Sequence, residues 1–197
     1  MKVTGELSSA EVMHEFLLSE WYKDWFRQFE AQGIDPLSLN PTDLKDAESI
    51  TTLLSTMRGP ILAHLPNDIE WKTGELEVGD FEDLFVIREA GWANTFGANK
   101  SLKEVAGQIR LTQKETGGVN IPQILEIKNA IGMSQFEERM ILIAAREAGP
   151  YTILDGNHRA VAFQMDADET GSTAHLPTEV ILGVSKAMRG CAWLNFR

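Results

Sequence analysis

Residues 151–165, YTILDGNHRAVAFQM, constrain the fold of this chain more than any other stretch. Tyr151, Ile153 and Leu154 form an apolar run that breaks at Asp155-Gly156, and Ala160, Val161, Ala162 and Phe163 resume with helix-forming character shortly after. That order predicts strand, tight turn, helix. Gly156 permits close backbone approach, Asp155 or Asn157 can cap the new helix, and the first helical turn directs N–H groups and a positive dipole end outward. Arg159 adds a fork of donors and His158 a group that titrates near neutrality, so the expected ligand of the turn is an anion, phosphate foremost. A positive charge in a first helical turn opposes the dipole unless an anion is close, which sets Arg159 apart from ordinary ion pairing. For Asp155 the plain alternative is a helix cap.

Around this junction the chain alternates strand and helix signals. Leu84–Arg88 (LFVIR) reads as a strand, residues 91–99 (GWANTFGAN) as a small-residue loop with an aromatic pair, and Ser101 as the cap of a short helix through Val105. Residues 107–111 (GQIRL) read as a further strand, and Ile121-Pro122 opens a helix that closes at Gly132. Residues 139–146 and 151–154 are β-type runs joined by Glu147-Ala148-Gly149-Pro150, which predicts a hairpin leading into the turn. Residues 166–177 form an acidic loop and residues 178–184 (TEVILGV) an apolar strand; Met188, Trp193, Leu194 and Phe196 are expected to dock the end of the chain.

Upstream the pattern is helical. Ser8 or Ser9 caps an amphipathic helix in which Val12, Phe16, Leu17, Trp21, Trp25, Phe26 and Phe29 recur until Gly33. Its aromatic stripe (Trp21, Tyr22, Trp25, Phe26, Phe29) is either a partner or self-association surface or, as exposed patches of that size are uncommon, a buried face. Thr42 caps a second helix that stops at Arg58-Gly59-Pro60, and residues 61–79 read as loop with one short strand. The predicted organisation is therefore a helical extension, 1–80, packed on an α/β domain, 81–197.

Charge narrows the partners. The 18 basic and 29 acidic residues leave a formal charge of −11, which repels nucleic acid and anionic membrane. No apolar run reaches the ~18 residues of a membrane span and no cleavable signal is evident. With Cys191 as its single cysteine the chain forms no internal disulfide, so a cytoplasmic location is the simplest expectation.

The order strand, helix, hairpin into DGNHR, helix, strand resembles the ParB and sulfiredoxin superfamily over roughly residues 81–185. Its signature turn takes forms such as GERR in ParB, GCHR in sulfiredoxin and DGHHR in the ADP-dependent free serine kinases. Asp155-Gly156-Asn157-His158-Arg159 matches the last of these at all but one position. The resemblance implies a ParB/sulfiredoxin-like mixed sheet with flanking helices. It further implies that Gly156, Asn157, His158 and Arg159 line a nucleotide phosphate site for ATP or ADP, with CTP as an alternative. Asp155 would then act near Mg²⁺ and the transferring phosphate. Asn157 stands where sulfiredoxin needs cysteine, and only residues 185–197 follow the last strand, where ParB proteins carry a basic DNA-binding module. Sulfinic acid repair and partition-type DNA binding are both disfavoured by these departures.

The expected function is thus a small-molecule enzyme, a nucleotide-dependent, Mg²⁺-assisted phosphotransferase with Asp155 and His158 as catalytic groups. The rivals are a non-catalytic, nucleotide-responsive protein-binding module and, against the charge, a ParB-like nuclease or DNA-binding protein. Asp155, His158, His175 and Cys191 contain ligand types for zinc or a redox metal, but no pair has a recognised local spacing. Glu137-Glu138 and Asp166, Asp168 and Glu169 are weighed as Mg²⁺ aids against the commoner role of solvated charges.

Overall fold

The computed structural model describes residues 1–21, 27–112, 118–133 and 139–195, without the side chains of Arg27 and Met57. In chain order the elements are β1 (Lys2–Leu7), α1 (Ser9–Glu20), α2 (Arg27–Glu30), α3 (Leu44–Leu62), β2 (Glu70–Glu75), β3 (Leu84–Phe85), α4 (Ala90–Phe96), α5 (Leu102–Thr112), α6 (Ile121–Ala130), β4 (Met140–Ala144), β5 (Tyr151–Asp155), α7 (Asn157–Thr170) and β6 (Glu179–Val184). They form two compact units, Met1–Gly5 with Pro66–Arg197, and Glu6–Leu65. The sheet-bearing unit takes in residues 1–5 and 66–80 as well as the segment expected from residue 81 onward, because β1 and β2 are strands of its sheet.

The smaller unit is helical. Ser8 is the cap of α1: its Oγ accepts from Glu11 N–H and the Glu11 carboxylate accepts from Ser8 N–H, satisfying two donors reciprocally. For α3 the cap is Asp43 rather than Thr42, and Gly59-Pro60 does not end the helix; Ala63 N–H still reaches Gly59 O at 2.8 Å. A proline in the last turn forfeits one hydrogen bond without breaking the turns before it. Leu17, Ile50 and Leu53 form this unit's buried cluster, with Trp21 and Phe29 packed against it and stacked on each other at 6.4 Å. Tyr22, Trp25 and Phe26 of the aromatic stripe lie outside the described residues. Glu20, 1% exposed, receives two 2.9 Å hydrogen bonds from the Arg58 guanidinium.

The larger unit is the mixed α/β domain the sequence predicts. Its six strands run in the order β1-β2-β6-β4-β5-β3. β2 and β6 are antiparallel, β6 and β4 parallel, β4 and β5 antiparallel, and β5 and β3 parallel. The expected hairpin is β4–β5, with Leu142 opposite Ile153 and Ile143 opposite Thr152. Every residue of β4 is buried, as are the first four of β5 and the central four of β6, which is why these strands are continuous apolar runs rather than alternating ones. α7 packs against both α5 and α6 and buries residues around most of its circumference. Arg110 of α5 and Lys128 of α6 reach Asp168 and Glu169 near its far end.

Three local expectations are corrected. GQIRL belongs to α5, where Leu102, Val105, Ala106 and Ile109 are fully buried at helical spacing. Residues 90–96 form α4, capped by Glu89 and stopped at Gly97 (φ 90°), so GWANTF is not loop. The acidic stretch from Asp166 begins inside α7, which runs to Thr170. Of the expected strand Leu84–Arg88, only Leu84 and Phe85 pair as β3; the next three residues donate elsewhere, Val86 N–H to Lys100 O, Ile87 N–H to Asn157 Oδ1 and Arg88 N–H to Trp193 O. The chain end docks as expected: Met188 and Leu194 are buried, and Asn195 accepts from Asn99 N–H and donates to Val86 O. Phe196 lies outside the described residues.

One sheet position tests the packing directly. Gly183 of β6 is the cross-strand partner of Trp71, and a Cβ there would sit 2.5 Å from the Trp71 ring. Gly183→Ala is therefore expected to displace the indole and to lower the unfolding free energy by about 2 kcal/mol, as overpacked cores do. A thermal melt unchanged by the substitution would contradict this packing.

Candidate functional site

The turn after β5 is built from three constraints. The hairpin register slips by one residue between Ile141 and Leu142, so that Ile141 faces Asp155, the mark of a β-bulge at the end of β5. Gly156 follows with φ 90° and ψ 15°, a conformation costly for any L side chain, and a Cβ there would come within 3.1 Å of Met140 Cγ. α7 then starts at once, its first intrahelical bond running from Ala160 N–H to Gly156 O. By helix geometry the N–H groups ahead of Ala160 are aimed out of the helix end, toward the strand terminus.

Asp155 and Arg159 meet over this turn. Arg159 Nη2 lies 3.8 Å from Asp155 Oδ2 and 3.3 Å from the point a Gly156 Cβ would occupy, so the guanidinium folds back across the glycine. Both side chains are largely withdrawn from water, at 13% and 15% exposure. The separation is that of an ion pair and not of a hydrogen bond. Asp155 Oδ2 is buried and has no hydrogen-bond partner among the described residues, an unsatisfied carboxylate oxygen at the turn. Neither Asp155 nor Asn157 caps the helix, contrary to the expectation from sequence; Gly156 occupies that position with no side-chain bond.

Asn157 and His158 point to different tasks. The Asn157 side chain is buried, its Oδ1 accepting from Ile87 N–H at 2.9 Å and its Nδ2 donating to Ile153 O at 3.0 Å. It brackets the segment after β3 to the end of β5, leaving its backbone N–H as the group it offers a ligand. His158 packs edge-on against Trp92 of α4, ring centroids 5.1 Å apart. Trp92 in turn contacts Phe96 one helical turn later, at 5.9 Å. Trp92 is the neighbour of the site that sequence reading missed; the i, i+4 pair Trp92/Phe96 was the available signal, legible only once residues 90–96 are seen as a helix.

The other sequence candidates have settings of their own. His175 Nδ1 is 3.1 Å from Asp166 Oδ2, nine residues along α7 from the turn, roughly 13 Å by helical rise. Asp168 and Glu169 are held by Arg110 and Lys128, and Cys191 is buried. Glu137-Glu138 fall outside the described residues. His14 bonds with Pro36 O at 2.8 Å. Among the described residues no three His, Cys, Asp or Glu side chains are grouped as metal ligands, so a closed zinc-type site is not formed there. Mg²⁺ is a different case, since that ion is commonly held by one or two carboxylates plus substrate phosphates and water. Asp155, with its unbonded Oδ2, fits that requirement.

A polar recess of about 210 Å³ opens beside the start of β4, lined among others by Thr73, Glu75, Arg139 and Glu179. None of the turn residues contributes to it. No helix among the described residues is long and apolar enough to cross a membrane. No family model matches the chain, and neither a curated protein nor a solved structure is significantly similar to it.

Proposed function

We propose that the protein binds a nucleotide or a related phosphate compound at Asp155–Arg159 and acts as a Mg²⁺-assisted phosphotransferase toward a small molecule, on a ParB/sulfiredoxin-like domain. The observation that carries this reading is the convergence, at the N-terminus of α7, of a half-buried guanidinium with a carboxylate oxygen that has no hydrogen-bond partner among the described residues. A phosphate seated at the helix end meets the backbone N–H groups of Asn157 and His158 and the Arg159 fork, which replaces its 3.8 Å contact with Asp155 by shorter charge-assisted bonds. Asp155 Oδ2 is then the atom that holds the metal or takes the proton of the acceptor hydroxyl. His158, steadied by Trp92, supplies a donor to the phosphate oxygens. When bound, Mg²⁺ neutralises charge on the transferring phosphate.

The test is equilibrium binding and turnover with ADP, ATP and CTP in the presence of Mg²⁺. Arg159→Ala is expected to weaken nucleotide binding about ten- to a hundredfold, the scale of a lost charge-assisted bond. Asp155→Asn is expected to keep binding and lose turnover. Unchanged affinity in Arg159→Ala, with the fold verified by circular dichroism, would sink the phosphate assignment. Binding with no turnover in the unaltered protein assigns the site to a nucleotide-responsive module instead. Salt-sensitive binding of duplex DNA, against a formal charge of −11, points to the nuclease reading.

A further inference from the structure

We infer that the outer edge of β1 is a self-association surface on which a second copy of this chain adds its own β1, antiparallel, with Lys2 of each copy opposite Glu6 of the other. The inference is independent of the phosphate site. β1 is the terminal strand of the sheet order and its sheet neighbour is β2, so among the described residues no strand pairs with its outer side. An unpaired edge presents a row of N–H and C=O groups that another extended segment can complete. Side chains of this strand are mostly exposed: Lys2, Val3, Thr4 and Glu6 are all on the surface. No proline interrupts it.

The sequence of the strand says which segment fits. In KVTGEL, Lys2, Thr4 and Glu6 share one face by the two-residue period of a strand. Two copies paired antiparallel about Thr4 place Lys2 against Glu6, Thr4 against Thr4, and Glu6 against Lys2. Both charged positions therefore meet their opposites in a single register, while a shift of two residues in either direction loses both pairs. Opposite-charge cross-strand pairs stabilise and like-charge pairs do the reverse. Lys2 now has only a loose, solvent-exposed contact with Glu75 at 3.7 Å, so it can turn to a partner without losing a strong bond. Lys2 and Glu6 leave the strand itself without net charge, in a chain of net charge −11. A six-residue strand pair buries little surface, so the dimer is weak and concentration-dependent.

Sedimentation velocity over a concentration series of the full chain provides the test. The expected result is a reversible monomer–dimer equilibrium. Lys2→Glu alone, or Glu6→Lys alone, converts two attractive pairs into two repulsive ones and is expected to weaken dimerisation by about tenfold or more. The combined Lys2→Glu, Glu6→Lys variant restores both pairs with the signs exchanged and is expected to return the dissociation constant to near its original value. Both side chains are exposed, so the fold is retained in all three variants. A protein monomeric at every concentration, a dimer indifferent to the single reversals, or a combined variant as weak as the singles would each overturn the inference.

Discussion

Replacing Asn157 with alanine is expected to lower the unfolding free energy by about 3 kcal/mol, seen as a lower urea midpoint at unchanged slope. The side chain is 6% exposed and its two polar atoms are spent on backbone, one bond to Ile87 N–H and one to Ile153 O. Alanine removes both partners at once and leaves a buried donor and a buried acceptor unmatched, each worth about 1–3 kcal/mol less whatever water enters the vacated space. The effect has a local signature. Hydrogen exchange at the Ile87 amide should accelerate well beyond that of β4 amides, since Ile87 N–H has lost its acceptor while the central sheet ladder has not. An unchanged midpoint together with a protected Ile87 amide would show that the bracket is dispensable. The same experiment separates two roles at one turn: Asn157→Ala acts on stability, Arg159→Ala on ligand affinity.

A loss of similar size is expected from Arg58→Met in the smaller unit. Glu20 is almost fully buried and the Arg58 guanidinium supplies two 2.9 Å bonds to it. Removing one member of a buried pair costs roughly 3–5 kcal/mol because a charge remains in an apolar setting; with Arg58 itself 27% exposed, about 3 kcal/mol is the expected figure. Replacing both, as Glu20→Leu with Arg58→Met, is expected to recover most of the loss, since apolar side chains of comparable volume often do as well as a buried ion pair. Thermal denaturation followed by circular dichroism reads the loss. A single variant as stable as the parent would mean that Glu20 is accommodated without its arginine.

The parts of the fold readable from sequence were those where local chemistry and tertiary environment agree. Pro122 marks the start of α6 because its fixed φ favours the first helical turn, and the structure adds Asn120 as the cap. The β4–β5 hairpin and β6 were legible because fully buried strands are short apolar runs between turn residues. The junction at Gly156 was placed correctly because no other residue tolerates that backbone at φ 90°. The misses came from reading windows that were too short. GQIRL alternates when taken alone, and only with Leu102 and Val105 does the helical spacing of α5 emerge. Gly91 and Gly97 made the segment between them resemble loop, although Gly97 merely terminates α4. The one short strand expected within residues 61–79 is β2, but EWKTGE does not locate it: its buried positions are Trp71 and Gly74, its partner β6 lies more than 100 residues away, and the atoms closest over the glycine come from Met1 and Lys2. At the turn, the division of labour among the residues was not legible; that Asn157 serves the backbone depends on Ile87, seventy positions upstream.

The path of the chain between β1 and β2 has an evolutionary consequence. These neighbouring strands belong to the sheet unit, and residues 6–65 leave from the end of one and return to the start of the other. The helical unit is therefore spliced into a connection between adjacent strands, the kind of place where recombination can add, exchange or shorten a module while every hydrogen-bonded strand stays in sequence order. Across related chains, the interval between these strands is where length and composition should vary most, with the sheet scaffold and its DGNHR turn inherited as a separate block.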